Sequence, residues 1–326
     1  MMQKRTAAYK IWKDIFHDDE AFMTLFFDSL YHDSNTLLSL NPYTGTANSH
    51  LQFIPYDLCI AQKRYKACYV CGVATIPEAR EHGLAKQLLQ AAHYRMWHKG
   101  VVLSFLIPQE NWLYDYYRRV GQYIDVGERT YSHKQIVDFV DSNDAESYKQ
   151  STLQRQSSLW MNYVLPDYLQ WRTALESAAM SGGGWAFDNE CGINLLYDRI
   201  TPDTYIAPRP PINGEKMHRF GMVRIINPFD LLRDYAQRHT YYFTKFIYCD
   251  NALPKNNGLY VINNGMVRFF RPALQDVRKY SILKGKDKDT NPLNPPLSLY
   301  TPTSLTHFLF ENEIFFLDQL MDGIVE

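Results

Sequence analysis

Six residues, Arg80-Glu81-His82-Gly83-Leu84-Ala85, join an apolar run to a predicted helix and combine a cation, a glycine and a small residue. That combination suits an anion. The first backbone N–H groups of a helix lack intrahelical acceptors, and the helix dipole is positive there. A glycine and an alanine in the first turn let a pyrophosphate approach the backbone. An arginine adds a planar, permanently charged fork. Taken alone, the hexapeptide reads first as a tight turn with a surface arginine, because strand–turn–helix units with one glycine are common. Two other groups draw attention. Cys68-Tyr-Val-Cys71 has redox or zinc spacing, but it falls in a predicted strand, where residues three apart point to opposite faces and cannot clasp one metal. Tyr114, Tyr116 and Tyr117 crowd one short predicted helix, where Tyr117 can pack with Leu113 and Val120.

The surrounding elements decide what the turn can do. Ala67–Thr75 is a nearly continuous small or apolar run, as expected of a strand buried on both faces. The helix that follows runs from about Gly83 to Lys99, with Ala85, Leu88, Leu89, Ala92 and Met96 as its buried stripe and Gly100 as its cap. Val101–Ile107 is a second buried strand, and Trp112–Val120 a short helix closed by Gly121. Strand, helix and strand at this spacing form one βαβ unit, so the two strands are expected to be parallel. Upstream, Asp18–Leu30 has helical periodicity, and Thr36–Leu40 and Leu51–Ile60 read as strands.

Beyond residue 140 the pattern changes. Asp141–Ser158 is a polar linker, Tyr168–Ala179 a helix, and Trp185–Phe187 with Ile193–Tyr197 a strand pair. The proline-rich Thr201–Lys216 is a candidate boundary. Met222–Gln237 gives a strand, a proline turn and an amphipathic helix. Asn264-Gly265 between two apolar runs signals a hairpin. Lys284–Pro296 reads as a loop, and Leu305–Leu309 and Ile314–Met321 as closing helical segments. The expected architecture is α/β, a mixed sheet flanked by helices with further units behind it.

Composition narrows the class. The chain has 326 residues, 46% apolar and 21% charged, as in an ordinary globular protein of roughly two domains. A net charge of −1 argues against nucleic acid or an anionic membrane as partner. Five scattered cysteines are no disulfide framework, no metal site is expected, and no apolar stretch of about 18 residues occurs. A cytoplasmic protein with reduced thiols is expected.

The order of buried strand, R-x-x-G-x-A, helix, buried strand and Tyr117-Arg-Arg-Val-Gly121 resembles the GCN5-related N-acetyltransferase (GNAT) family over roughly residues 5–135. Tyr9–Tyr31 and Ser104–Gly121, with its "FLIP" strand, resemble the enhanced-intracellular-survival (Eis)-like members. Met222–Ala236 and Leu253–Tyr260 resemble the sterol-carrier-protein-like (SCP2-like) domain that closes those proteins. The resemblance implies an acetyltransferase domain at 1–140, a linker and reduced second GNAT-like region at 141–215, and an SCP2-like domain at 216–326. The middle region is expected to wall the acceptor pocket; Trp160, Tyr163, Tyr168, Trp171 and Trp185 are candidates for that wall, with core packing the first reading for most of them.

It also implies a chemistry. Acetyl-CoA (coenzyme A) donates its acetyl group to a primary amine, on a small molecule or a peptide, by direct attack in a ternary complex. Val73, Ala74 and Thr75 offer backbone groups to pantetheine, with Gly72 marking a bulge. Arg80, Glu81, His82, Gly83, Leu84, Ala85 and Lys86 surround the pyrophosphate, and Gln109 and Glu110 make further cofactor contacts. Tyr117 is the general acid that protonates the departing thiolate. Eis-like enzymes use their terminal carboxylate as base, which points to Glu326, with Glu110 as the other candidate. The chain departs from the pattern at Glu81 and His82, where the family often has glycine and basic residues. A homo-oligomer fits the family. A second reading, from a different class, is an acetyltransferase fold of weak activity that binds an apolar ligand through its SCP2-like part.

Overall fold

The structure is a computed structural model and describes residues 3–126, 128–139, 162–190, 192–209, 218–271, 297–310 and 315–316. The chain opens with helices α1 (Lys4–Phe16) and α2 (Glu20–Ser29). Asp19 caps α2 by accepting from the Ala21 N–H at 2.8 Å. Strands β1 (Thr36–Leu40), β2 (Ala47–Ile60) and β3 (Lys63–Thr75) follow. Ala61 and Gln62 link β2 to β3, both at positive φ (48° and 66°), which is type I′ geometry reached without glycine. Helix α3 (Leu84–His98) crosses to β4 (Leu103–Leu106), and α4 (Asn111–Gly121) leads to the short β5 (Ile124–Asp125).

The expected βαβ unit is present. β3 and β4 are parallel, pairing Ala67 with Leu103, Cys68 with Ser104 and Tyr69 with Phe105. The α3 stripe buries Leu88, Leu89, Ala92, His93 and Met96, while Ala85 stays half-buried. Cys68 packs in the core under α3, and Cys71 in the opposite core under α1 and α2. Burial pushes the Cys68 thiol up to about 12, so neither metal binding nor easy oxidation suits it.

Three local expectations are corrected. Gly121 is the last residue of α4, and the left-handed cap is Gln122 at φ 59°. Gly121 is needed for another reason: a Cβ there would lie 2.6 Å from the Tyr123 ring. Phe315–Phe316 is not helical but a short strand parallel to residues 162–163. Within the proline-rich boundary candidate, Thr204–Arg209 is a regular paired strand.

The remaining elements build two further sheets and complete the first. They are β6 (Glu128–Lys134), β7 (Asn162–Leu165), α5 (Tyr168–Met180), β8 (Gly184–Asp188), β9 (Ile193–Thr201), β10 (Thr204–Arg209), β11 (His218–Arg219) and β12 (Met222–Ile225). After them come α6 (Pro228–Arg238), β13 (Thr244–Tyr248), β14 (Gly258–Asn263), β15 (Met266–Phe270), β16 (Ser298–Tyr300), α7 (Pro302–Phe310) and β17 (Phe315–Phe316). The main sheet has the order β17-β7-β2-β3-β4-β12-β5, with β1 on β2. A second sheet runs β11-β6-β10-β9-β8, and a third β15-β14-β13-β16. The predicted hairpin joins β14 to β15, with Asn264 and Gly265 both at positive φ (50° and 74°). The linker and loop expected at 141–158 and 284–296 lie outside the described residues, as do Trp160, Cys191 and Glu326.

β12 comes from far along the chain, yet it pairs antiparallel with β4 inside the main sheet, with Arg224 opposite Ser104. Arg224 is fully buried. Its guanidinium donates to Asp250 at 2.8 Å, and Asp250 also accepts from the backbone N–H groups of Ala252 and Leu253 at 2.9 and 3.0 Å. Asp250 follows β13, so this ion pair ties the third sheet to the first. Removing one partner strands the other charge in the core. Asp250→Ala is therefore expected to cost about 3–5 kcal/mol in denaturant unfolding. Arg224→Met/Asp250→Ala should cost clearly less than the sum of the two single changes.

Candidate active site

Beyond Tyr69 and Phe105 the two parallel strands no longer pair. β3 continues for six residues, bonded only to β2 on its other side. The register with β2 slips between His50 and Gln52, where Gln52 faces Cys71 and His50 faces Ala74. Two residues of β3 thus oppose one of β2, which is a bulge. Gly72 sits in it at φ +56°. Successive strand residues aim their backbone groups to alternate sides. The Ala74 carbonyl accepts from Ser49 of β2 at 2.7 Å, so Val73 and Thr75 turn theirs toward the split.

The strand then passes through a turn at Pro77–Ala79 into the R-x-x-G-x-A segment. Glu81 and Gly83 both take left-handed backbone, at φ 65° and 71°. Gly83 is the N-cap of α3 and no side chain caps the helix. A Cβ at Gly83 would meet nothing within 4 Å. The N–H groups of Leu84, Ala85 and Lys86 are thus uncapped by any side chain, which suits a diphosphate. The charges are less generous. Arg80 spends its Nε–H on the Thr75 carbonyl at 3.2 Å, the His82 ring bonds the Arg80 carbonyl at 2.6 Å, and Glu81 is exposed.

α4 delivers the tyrosines. Trp112 is exposed and Tyr116 half-buried, whereas Tyr114 and Tyr117 are buried. The Tyr117 ring meets Tyr116 at 5.3 Å and Tyr123 at 6.2 Å. Burial holds its phenol well above the ordinary tyrosine range, and Tyr116, Tyr123 and Cys71 push the same way. Tyr117 is thus a protonated phenol at neutral pH. Behind it, the Tyr123 hydroxyl joins Ser104 Oγ at 2.7 Å and His93 Nε2 at 3.0 Å, a buried network that fixes the floor of the tyrosine cluster. Gln109 and Glu110 are exposed just before α4, and Glu110 is its N-cap.

The split strand, the open helix terminus and Tyr117 thus share the C-terminal end of the parallel pair. The residue range 3–124 matches the family model described as acetyltransferase (GNAT) domain. Residues 3–124, a little over a third of the chain, are thus similar to a GNAT acetyltransferase domain. Such a domain makes the protein an acyltransferase, and GNAT domains in general use acetyl-CoA. No curated protein matches the chain by sequence. Solved structures share the fold at low identity. A GCN5-related N-acetyltransferase from Kribbella flavida has a TM-score of 0.64 at 12% identity, covering 98% of each chain. A probable N-acyltransferase from Enterococcus faecalis V583 has a TM-score of 0.63 at 15% identity, covering 83% of this chain and 84% of that one. Eis1 from Mycobacterium abscessus has a TM-score of 0.60 at 12% identity, over 83% and 84%.

Of the aromatic residues of the middle region, those described mostly pack in the core, as their type favours, and not at the candidate site. Trp171 and Trp185 pack against each other at 4.6 Å in a small core between α5 and its sheet. Tyr163 is buried and Tyr168 exposed. A cavity of about 490 Å³ lies at the other end of β3, between Asp57, Lys66, Cys68, Lys99, Asp167 and Gln170. No group of three or more metal-ligating side chains occurs among the described residues, and none of their helices is long and apolar enough to cross a membrane.

Sequence reasoning did not single out Trp12 and His50, which fill the space beside Gly72. His50 is fully buried, and neither ring nitrogen has a hydrogen-bond partner among the described residues. An isolated glycine inside the strand pattern was the available signal. Burial pulls the His50 pKa down to about 3. A depressed histidine pKa contributes stability that is full above about pH 6.5 and fades as pH falls toward the folded value. His50→Phe is therefore expected to remove about 2 kcal/mol of the stability lost between pH 7 and 5, read from urea midpoints at both pH values.

Proposed function

We propose that the protein is an acetyl-CoA-dependent N-acetyltransferase that acetylates a primary amine by direct attack. One observation carries this reading: the backbone edge of β3 at Val73 and Thr75 is unpaired with β4, with the Thr75 carbonyl taken by Arg80, one turn before an uncapped helix terminus. Both features fit an extended amide chain that ends in a diphosphate. Val73 and Thr75 hydrogen-bond the pantetheine amides. The N–H groups of Leu84, Ala85 and Lys86 hold the diphosphate, with Arg80 and His82 at its flank and Gln109 and Glu110 beside the entrance. The exposed Glu81 carboxylate turns to solvent, where salt screens its repulsion.

Acetyl-CoA supplies the activated acyl group. A backbone N–H of the split strand meets the carbonyl oxygen as negative charge builds on it. The amine nitrogen bonds to the carbonyl carbon, the carbon–sulfur bond breaks, and Tyr117 gives its proton to the sulfur. The amine's own proton leaves to a carboxylate, with Glu326 and Glu110 as the candidates. Cys68 and Cys71 are buried with raised thiol pKa values, which supports direct attack over an acyl-cysteine step.

The alternative, an apolar ligand held by the SCP2-like region, is less well supported. The third sheet fills its inner face with its own rings, Phe246 on Tyr260 at 5.5 Å, Tyr260 on Phe269 at 4.8 Å and Phe246 on Tyr300 at 4.8 Å.

The test is thiol release from acetyl-CoA against a panel of amines. Tyr117→Phe is expected to lower turnover by about 10²-fold or more, with calorimetric acetyl-CoA binding unchanged. Unchanged turnover removes Tyr117 from the acid role. Absence of acetyl-CoA binding to the native protein, with a lipid found on it by mass spectrometry, supports the alternative.

A further inference from the structure

The bulge at Gly72 is not held by the sheet alone. A Cβ built on Gly72 would lie 2.5 and 2.9 Å from two ring carbons of Trp12 and 3.2 Å from His50 Cε1. The indole of α1 and the imidazole of β2 therefore occupy the volume that any side chain at this position would claim. Their ring centroids are 6.0 Å apart. Trp12 is itself fixed, because its Nε1–H donates to Asp18 Oδ2 at 2.6 Å and its ring packs on Phe26 at 4.7 Å. His50 points Cε1, the atom between its two nitrogens, at the bulge. Both nitrogens are buried and have no partner among the described residues. Burying a polar ring unpaired is unfavourable by comparison with an apolar ring of the same size. Packing alone gives no reason for histidine at this place.

We propose that Trp12 and His50 are positioning residues for acyl transfer, which prop the Gly72 bulge so that the following backbone N–H points at the thioester carbonyl. The proposal rests on the acetyl-CoA reading of the split. It assigns α1 a task beyond covering the sheet. The helix presses one ring into the strand at the point where its backbone must turn out of register. The phosphate turn lies downstream of the bulge and is anchored separately, by Arg80 on the Thr75 carbonyl and by the Ile76 N–H on Asn48 O at 3.0 Å. Loss of the prop should therefore disturb the reacting carbonyl and spare the grip on the diphosphate.

Carbonyl-labelled [1-13C]acetyl-CoA reads this without an identified acceptor. On the native protein its bound carbonyl resonance is expected downfield of the free value, because a hydrogen bond polarises the C=O. In Trp12→Ala and in His50→Ala about half or more of that displacement should disappear, while calorimetric affinity changes by less than about threefold. Thermal unfolding of each variant confirms the folded state, and His50→Ala serves if Trp12→Ala does not fold. Gly72→Ala should reduce the displacement too, and Gly72→Ala/Trp12→Leu should be milder than the sum, since a smaller side chain admits the methyl group. Variants that fold, bind and leave the resonance unmoved overturn the proposal alone. No bound resonance on the native protein overturns the acetyl-CoA reading, and the proposal with it.

Discussion

The site depends on a failure of strand pairing. Parallel strands β3 and β4 share hydrogen bonds as far as Tyr69 and Phe105 and then part. Buried backbone groups are rarely left unpaired, so an edge opened inside a sheet calls for a ligand that can pair with it. The bulge at Gly72 is the local means. One extra residue in β3 bends the strand away, and positive φ makes glycine the residue that accepts the turn without strain. The same bend sets the direction in which the chain enters the turn before α3.

Everything around the split keeps it open and in place. On one face, α3 and α4 bury the Tyr114, Tyr117 and Tyr123 cluster, pinned by Ser104 and His93. On the other, α1 and α2 pack an aromatic core in which Trp12 touches Phe16, Phe26 and Phe27. β12 closes the far side of β4 and is fastened through Arg224 and Asp250 to the third sheet. The C-terminal elements are thus structural partners of the acetyltransferase sheet. The electrostatics are economical. The uncapped helix terminus is the feature there that suits an anion best, because Arg80 and His82 are partly engaged locally and Glu81 is exposed beside them.

Much of this was legible in the residues. The apolar runs at 67–75 and 101–107 with a helical stripe between them are enough to specify a parallel βαβ unit, and 112–120 reads as the short helix after it. Opposite faces for Cys68 and Cys71 followed from strand geometry. Other features depend on contacts remote in sequence. Nothing local announces that Met222–Ile225 inserts beside β4, since an apolar tetrapeptide pairs wherever an edge is free. The two aromatic residues at 315–316 looked helical by their neighbours' spacing and pair as a strand, because β7 offers an edge there. Gly121 looked like a cap, whereas the requirement comes from the Tyr123 ring. Trp12 and His50 were invisible as a pair because the register slip that brings them to Gly72 arises from the fold.

The central claim is that the open edge of β3 and the terminus of α3 together take one extended ligand, acetyl-CoA. Hydrogen exchange of the backbone amides with and without acetyl-CoA tests it most directly. Slowed exchange confined to Val73 and Thr75, to Leu84–Lys86 and to the start of α4 is the predicted result. Unchanged exchange at these amides, or protection appearing instead around the cavity at Lys66 and Lys99, would contradict it.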